Sequence, residues 1–193
     1  MEREVDDLDA MIDALGGRAF VYGHSSGAVL ALHAAHRLGD KVLGTVLYDA
    51  SWVADETERK SYAELRTQID ELLDAGRHGP AVRRFLSGIG MPRAFVALLP
   101  LMPGWRHLVA LAPTLRYDMS LTASTPPVDV AATVTTPLHV LVGERSPAEI
   151  HAVARMLGDA TATPVTTVPG QDHMVKATAV LPELTTRLQP GST

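Results

Sequence analysis

The stretch that most constrains this chain is Tyr22-Gly23-His24-Ser25-Ser26-Gly27, which closes one apolar run and opens another. Arg18 to Tyr22 reads as a short buried strand, and Ser26 to Leu38 as an Ala/Leu-rich buried helix. A G-x-S-x-G sequence between the two demands a sharp turn. The serine is pushed out of the sheet, and small residues flank it because bulk would clash. The bare pattern arises by chance in roughly one chain in ten of this length, so the strand and helix around it carry the weight. They make Ser25 a candidate nucleophile.

The same alternation recurs along the chain. Val5, Leu8, Ile12 and Leu15 give one apolar face to a helix over 2–15, stopped by Gly16-Gly17. Val42 to Tyr48 is a near-continuous apolar run, as expected of a parallel strand buried on both faces, with Asp49 just beyond it. Residues 137–142 and 164–168 read as two further strands. A helix striped by Ile150, Val153 and Leu157 lies between them, and one carrying Leu181, Leu184 and Leu188 follows. Residues 55–125 differ, with several short helices broken by Gly76, Gly88, Gly90 and Pro92 and no convincing strand. Inserted between strands of a parallel sheet, they read as a lid. The expected organisation is one domain: a core segment 1–54 with the serine turn, a helical lid 55–125, and a core segment 126–193. Reactive groups collect at the C-terminal ends of parallel strands. Ser25, Asp49, Glu144 and His173 all follow strand ends, so all could converge on one edge.

Composition removes several functions. At 46% hydrophobic and 20% charged the chain is globular. A net charge of −5 gives no basic field for nucleic acid. With no cysteine there is no disulfide, thiolate catalysis or zinc–cysteine site, which fits a cytoplasmic location. No apolar run approaches the ~20 residues that cross a bilayer, and the acidic N-terminus does not resemble a signal peptide. None of the histidines stands at metal-ligand spacing from another His or carboxylate, so neither metal nor cofactor is expected.

Gly23-His24-Ser25-Ser26-Gly27 in a strand-turn-helix, the helical insertion, the Leu141-Val142-Gly143-Glu144 strand end and the late Gly170-Gln171-Asp172-His173 resemble the α/β-hydrolase family in that order, from residue 2 to about Leu188. The resemblance implies a mostly parallel sheet flanked by helices, and serine hydrolysis of an ester, thioester, amide or similar bond. It carries Ser25 over as nucleophile and His173 as general base, with the backbone N–H of Ser26 as half of the oxyanion hole. The chemistry agrees: a serine hydroxyl attacks poorly until a positioned imidazole takes its proton and a carboxylate fixes the imidazole's tautomer. His24, beside the nucleophile, is expected to be structural.

The acid is less direct. The family usually places an Asp a few residues after the strand read at 137–142, and there this chain has Ser146 within Gly143-Glu144-Arg145-Ser146-Pro147. Some members use a carboxylate after the strand that follows the nucleophile's helix, which is Asp49 here. Asp49 is the expected acid; Glu144, and behind it another acid or a serine–histidine dyad, are the alternatives. Trp52, Phe95, Met102, Trp105, Met119 and Met174 are the candidate pocket residues for a small, partly apolar substrate.

The resemblance also implies strands before the helix at 2–15, and a loop among them that supplies the second oxyanion donor. Neither has a counterpart in residues 1–17. The expectation is an N-terminally shortened member in which the strand at 18–22 becomes a sheet edge, prone to aggregation or covered by a second copy, and which alone is poorly soluble or nearly inactive, whereas an N-terminally extended form is active. The alternative to a serine hydrolase is a non-catalytic protein that keeps this fold as a binding module.

Overall fold

A computed structural model describes residues 1–188; the last residues of the C-terminal segment, 189–193, lie outside the described residues. The chain divides into two compact units, Met1–Ala54 with Ser124–Thr193, and Asp55–Ala123.

The first unit is a parallel sheet flanked by helices. Helix α1 (Glu2–Ala14) buries Val5 and Ile12. It leads to β1 (Ala19–His24), α2 (Ser26–Leu38) and β2 (Val42–Tyr48). The sheet order follows the chain, β1-β2-β3-β4, all parallel, with β3 at Leu138–Gly143 and β4 at Thr166–Val168. Strand β2, inside the sheet, is buried at every position but Leu43, whereas β1 lies at one edge and is half-buried at most of its positions. Strand β1 runs two residues beyond the Tyr22 that its apolar pattern suggests, because Gly23 and His24 continue the ladder against Leu47 and Tyr48.

Helix α2 packs on β1 and β2, and its buried Ala28, Ala31, Ala34 and Ala35 allow close approach to the sheet. Two helices placed after the second unit, α8 (Val128–Ala132) and α9 (Ala148–Thr161), pack on each other. Helix α8 is missed by periodicity because five residues hold little more than one turn. Helix α10 (Ala177–Arg187) contributes Val180 to a buried cluster with Val46, Tyr48, Leu141 and Val168, against which its Leu184 and Tyr22 of β1 also pack.

The second unit is helical throughout: α3 (Glu56–Asp74), α4 (His78–Gly88), α5 (Arg93–Leu98), α6 (Trp105–Ala110) and α7 (Leu115–Thr122). Asp55 caps α3 by accepting the Glu58 N–H at 2.9 Å. Its core is Leu65, Ile69 and Leu73 of α3, with Ala81 and Val82 of α4, Ala112 and Met119.

Candidate active site

Sheet hydrogen bonding continues one residue past the strands and carries the chain to the site. The Ser25 N–H donates to Tyr48 O at 3.1 Å, Asp49 N–H to Leu141 O at 3.0 Å, and Glu144 N–H to Val168 O at 3.1 Å. Ser25, Asp49 and Glu144 therefore leave the sheet at successive strand ends on the same edge. Both Ser25 (φ 57°) and Asp49 (φ 46°) lie in the left-handed region. Such a conformation in a non-glycine residue costs of order 1–3 kcal/mol and persists only where its surroundings fix it.

The turn at Ser25 depends on its first glycine more than its second. A Cβ on Gly23 would lie 2.3 Å from the Gly27 carbonyl oxygen and 2.5 Å from Ala28 Cα. One on Gly27 would meet open space. The expectation that both flanks must be small holds sterically for Gly23 alone.

Ser25 Oγ lies 3.1 Å from His173 Nε2, and His173 Nδ1 lies 3.1 Å from Asp49 Oδ2. A carboxylate only accepts, so Nδ1 carries the proton and Nε2 turns its lone pair to the serine hydroxyl. Asp49 is fully buried. Its Oδ1 accepts the Gly143 N–H at 2.9 Å, and its Oδ2 accepts the Ser146 hydroxyl at 2.5 Å besides His173. These donors offset the cost of burying the carboxylate. Room for them comes from Gly143, where a Cβ would sit 2.6 Å from Ser146 Oγ and 2.7 Å from the Tyr48 hydroxyl. The Ser51 hydroxyl lies 3.1 Å from Ser25 Oγ and 3.2 Å from the Asp49 carbonyl oxygen, which accepts from it. Ser25 Oγ thus sits between an imidazole nitrogen and a second hydroxyl.

The loop that brings His173 is held at three consecutive carbonyls by the ends of the other three strands. Arg145 N–H, just past β3, donates to Gln171 O at 2.8 Å. The Tyr48 hydroxyl, ending β2, donates to Asp172 O at 2.8 Å. His24 Nε2, ending β1, donates to His173 O at 2.7 Å. Burial, reinforced by the charge of Asp49, pushes the Tyr48 hydroxyl well above its ordinary pKa, so it stays a neutral donor. Burial pulls the His24 imidazole below its ordinary value, against its bond to the His173 carbonyl, which raises it. The His24 ring packs against Tyr48 at a centroid distance of 5.6 Å and against His173 at 4.9 Å.

Glu144 is exposed and accepts the Gly170 N–H at 2.7 Å; His173's side-chain partners among the described residues are Ser25 and Asp49. Ser26 opens α2 directly after Ser25. Trp52 is buried, and Met174 is exposed. In the helical unit Phe95 and Met102 are exposed. Met119 is fully buried in that unit's core, with Trp105 packed against the same cluster. On an eight-residue helix the apolar pattern could not separate a core-facing from a ligand-facing methionine. Sequence reasoning missed Ser51 and the supporting roles of Ser146 and Tyr48. The one signal available was their nearness to strand ends. Among the described residues no group of three His, Cys, Asp or Glu could hold a metal ion, and no helix is long and apolar enough to cross a membrane.

The sequence profile described as "Alpha/beta hydrolase family" matches residues 2–179. No curated protein matches the chain. Among solved structures, an alpha/beta hydrolase from Sphaerobacter thermophilus is 34% identical, with a TM-score of 0.83 over 97% of this chain and 74% of its own. Two more distant structures share the fold. A carboxylesterase of Nitrososphaera gargenis has 15% identity and a TM-score of 0.69, over 97% of this chain and 71% of its own. A thermostable carboxyl esterase from Bacillus coagulans has 17% identity and a TM-score of 0.57, over 93% and 67%.

Proposed function

This chain belongs to the α/β-hydrolase family, and from hydrolysis as its class of reaction we propose that it transfers an acyl group to water through Ser25, His173 and Asp49, as a carboxylesterase does. The observation that carries this reading is the unbroken run of contacts Ser25 Oγ–His173 Nε2 and His173 Nδ1–Asp49 Oδ2, each 3.1 Å. His173 Nε2 takes the hydroxyl proton as Ser25 Oγ attacks the substrate carbonyl carbon, and Asp49 stabilises the imidazolium. Negative charge then gathers on the carbonyl oxygen. The Ser26 backbone N–H, in the first turn of a 13-residue helix, donates to it and supplies half of the oxyanion hole. Collapse expels the alcohol, which receives the proton from His173, and leaves Ser25 acylated. A water activated by the same nitrogen completes the cycle.

The substrate is a small molecule. Met174, which follows the base directly and is exposed, supports a partly apolar acyl or alcohol portion. The absence of cysteine fits a cytoplasmic setting, and the β1 edge is where a second copy would add.

Covalent labelling with a fluorophosphonate, read beside hydrolysis of p-nitrophenyl esters of varied chain length, tests the reading. Both signals are expected from the parent protein, and both should vanish in Ser25→Ala. A folded parent protein that neither labels nor hydrolyses any ester would leave the binding-module alternative in its place.

A further inference from the structure

The helical unit carries a charge pattern that the catalytic reading does not use. From Ala75 to Tyr117 the sequence holds six arginines and neither Asp nor Glu, in a chain with 22 acidic against 17 basic residues. Four of the six, Arg77, Arg83, Arg84 and Arg93, line one open groove of about 500 Å³ formed by α4 and α5, with Ser87 and the buried Val96.

Many other basic side chains meet carboxylates. Arg37 pairs with Asp6, Lys41 with Asp9 and Asp13, Arg59 with Glu56, Arg116 with Asp70 and Asp74, and Arg187 with Glu183. The groove differs. Among the described residues Arg77, Arg83 and Arg93 are exposed and none is in an ion pair. Arg84 is half-buried and donates its Nε–H to the neutral amide oxygen of Gln68 at 2.6 Å. That bond aims the guanidinium without cancelling its charge. Arg84 also borders a neighbouring cavity that holds Glu58 and Glu64, whereas the other three line this groove alone of the two.

Four like charges around one concavity repel, and an anion that enters relieves them. The guanidinium fork matches two oxygens of one acidic group, which favours an anion with several equivalent oxygens. A carboxylate offers two oxygens and one charge. A phosphoryl group offers three oxygens and up to two charges, so it engages more of the four arginines.

We propose that this groove binds the phosphate of a small phosphorylated ligand, an ester or diphosphate with two or more negative charges. The site belongs to the helical unit and does not depend on Ser25, so it stands or falls apart from the hydrolase reading.

Pyrophosphate is the probe, titrated into the full chain by calorimetry at low and at physiological salt. Saturable binding that weakens with salt is expected, and Arg83→Gln with Arg93→Gln should weaken it at least tenfold. Both side chains are exposed, so the thermal midpoint of the double variant should match the parent's, and fluorophosphonate labelling of Ser25 should be unchanged. Arg93→Gln alone should give a smaller loss and serves if the double variant does not fold. Absence of saturable binding at millimolar pyrophosphate, or equal binding by the variants, overturns the proposal. So does sedimentation with phosphatidylglycerol vesicles that excess pyrophosphate fails to reverse, since the groove would then serve a membrane surface.

Discussion

In the core unit the polar groups past the strand ends are engaged with one another. Asp49 accepts from Gly143, Ser146 and His173, and three successive carbonyls of the His173 loop accept from Arg145, Tyr48 and His24. The helical unit is the reverse. Arg77, Arg83 and Arg93 stand exposed, as do Leu98, Leu101, Met102, Leu111 and Tyr117, outside a core built on α3 and α4. The difference follows from architecture. Parallel strands end in register, so groups distant in sequence meet at fixed spacing. Short helices joined by Gly and Pro place side chains only as well as a small core holds them. Substitutions past the strand ends should therefore act through chemistry at near-constant fold, whereas the helical unit should tolerate surface change.

The largest effect expected is at Asp49, the proposed acid. Asp49→Asn keeps the shape but removes the charge that fixes the tautomer of His173, and kcat for ester hydrolysis should fall by about 10⁴. Glu144→Gln removes the charge from a group bonded to the Gly170 N–H and should change kcat by less than about tenfold. Parallel kinetics on the two variants decide it. A loss confined to Glu144→Gln would move the acid to position 144, outside the bonded group around Asp49.

Next comes Ser146, where the residue types alone suggest a defect. As a serine in a slot usually held by an acid, it cannot stabilise an imidazolium by charge. At 2.5 Å from Asp49 Oδ2, its hydroxyl instead orients the carboxylate that can. A hydrogen bond to a charged group is worth about 1.5–3 kcal/mol, so Ser146→Ala should lower kcat by roughly 10- to 100-fold. Ser146→Thr, which keeps the hydroxyl, should recover most of it. If alanine and threonine lose equally with fold intact, packing rather than the hydrogen bond is what matters at 146.

These two sites also show what a sequence can and cannot say here. Strands β2 and β3 were readable because burial on both faces writes a continuous apolar run, and the serine turn because Gly23 has no room for a side chain. His173 stood out by its place after the last strand. The partnership of Ser146 with Asp49 was not readable, since they lie 97 residues apart and meet only through the parallel register of β2 and β3. Nor was the role of Tyr48, whose ring counts as one more apolar position in a strand while its hydroxyl holds the loop. In the helical unit, the eight residues of α7 offer too few turns for periodicity to mark Met119 as buried, and the exposed Met102 lies outside the helices, in the turn before α6.

The smallest effect probes that loop from His24. Its imidazole is held below its ordinary pKa by burial, so it stays neutral and donates Nε2–H to the His173 carbonyl. The unfolded chain takes up a proton at this position as pH falls through about 6.5, and the folded chain only at lower pH. Below about 6.5 the unfolded state therefore binds more protons, and folding stability declines until the folded imidazole is itself protonated. Above that pH the contribution is complete. His33 and His139 are lowered by burial in the same sense, so the parent protein should lose stability from all three. His24→Gln retains an N–H donor of similar reach and removes one titration. Urea melts of parent and variant at pH 7.5 and 5 should show the variant losing less stability between the two. Equal losses would mean that His24 titrates alike in the folded and unfolded chain. The third tie on the His173 loop would then be insensitive to acid, and the core unit less tightly coupled at its β1 end than at β2 and β3.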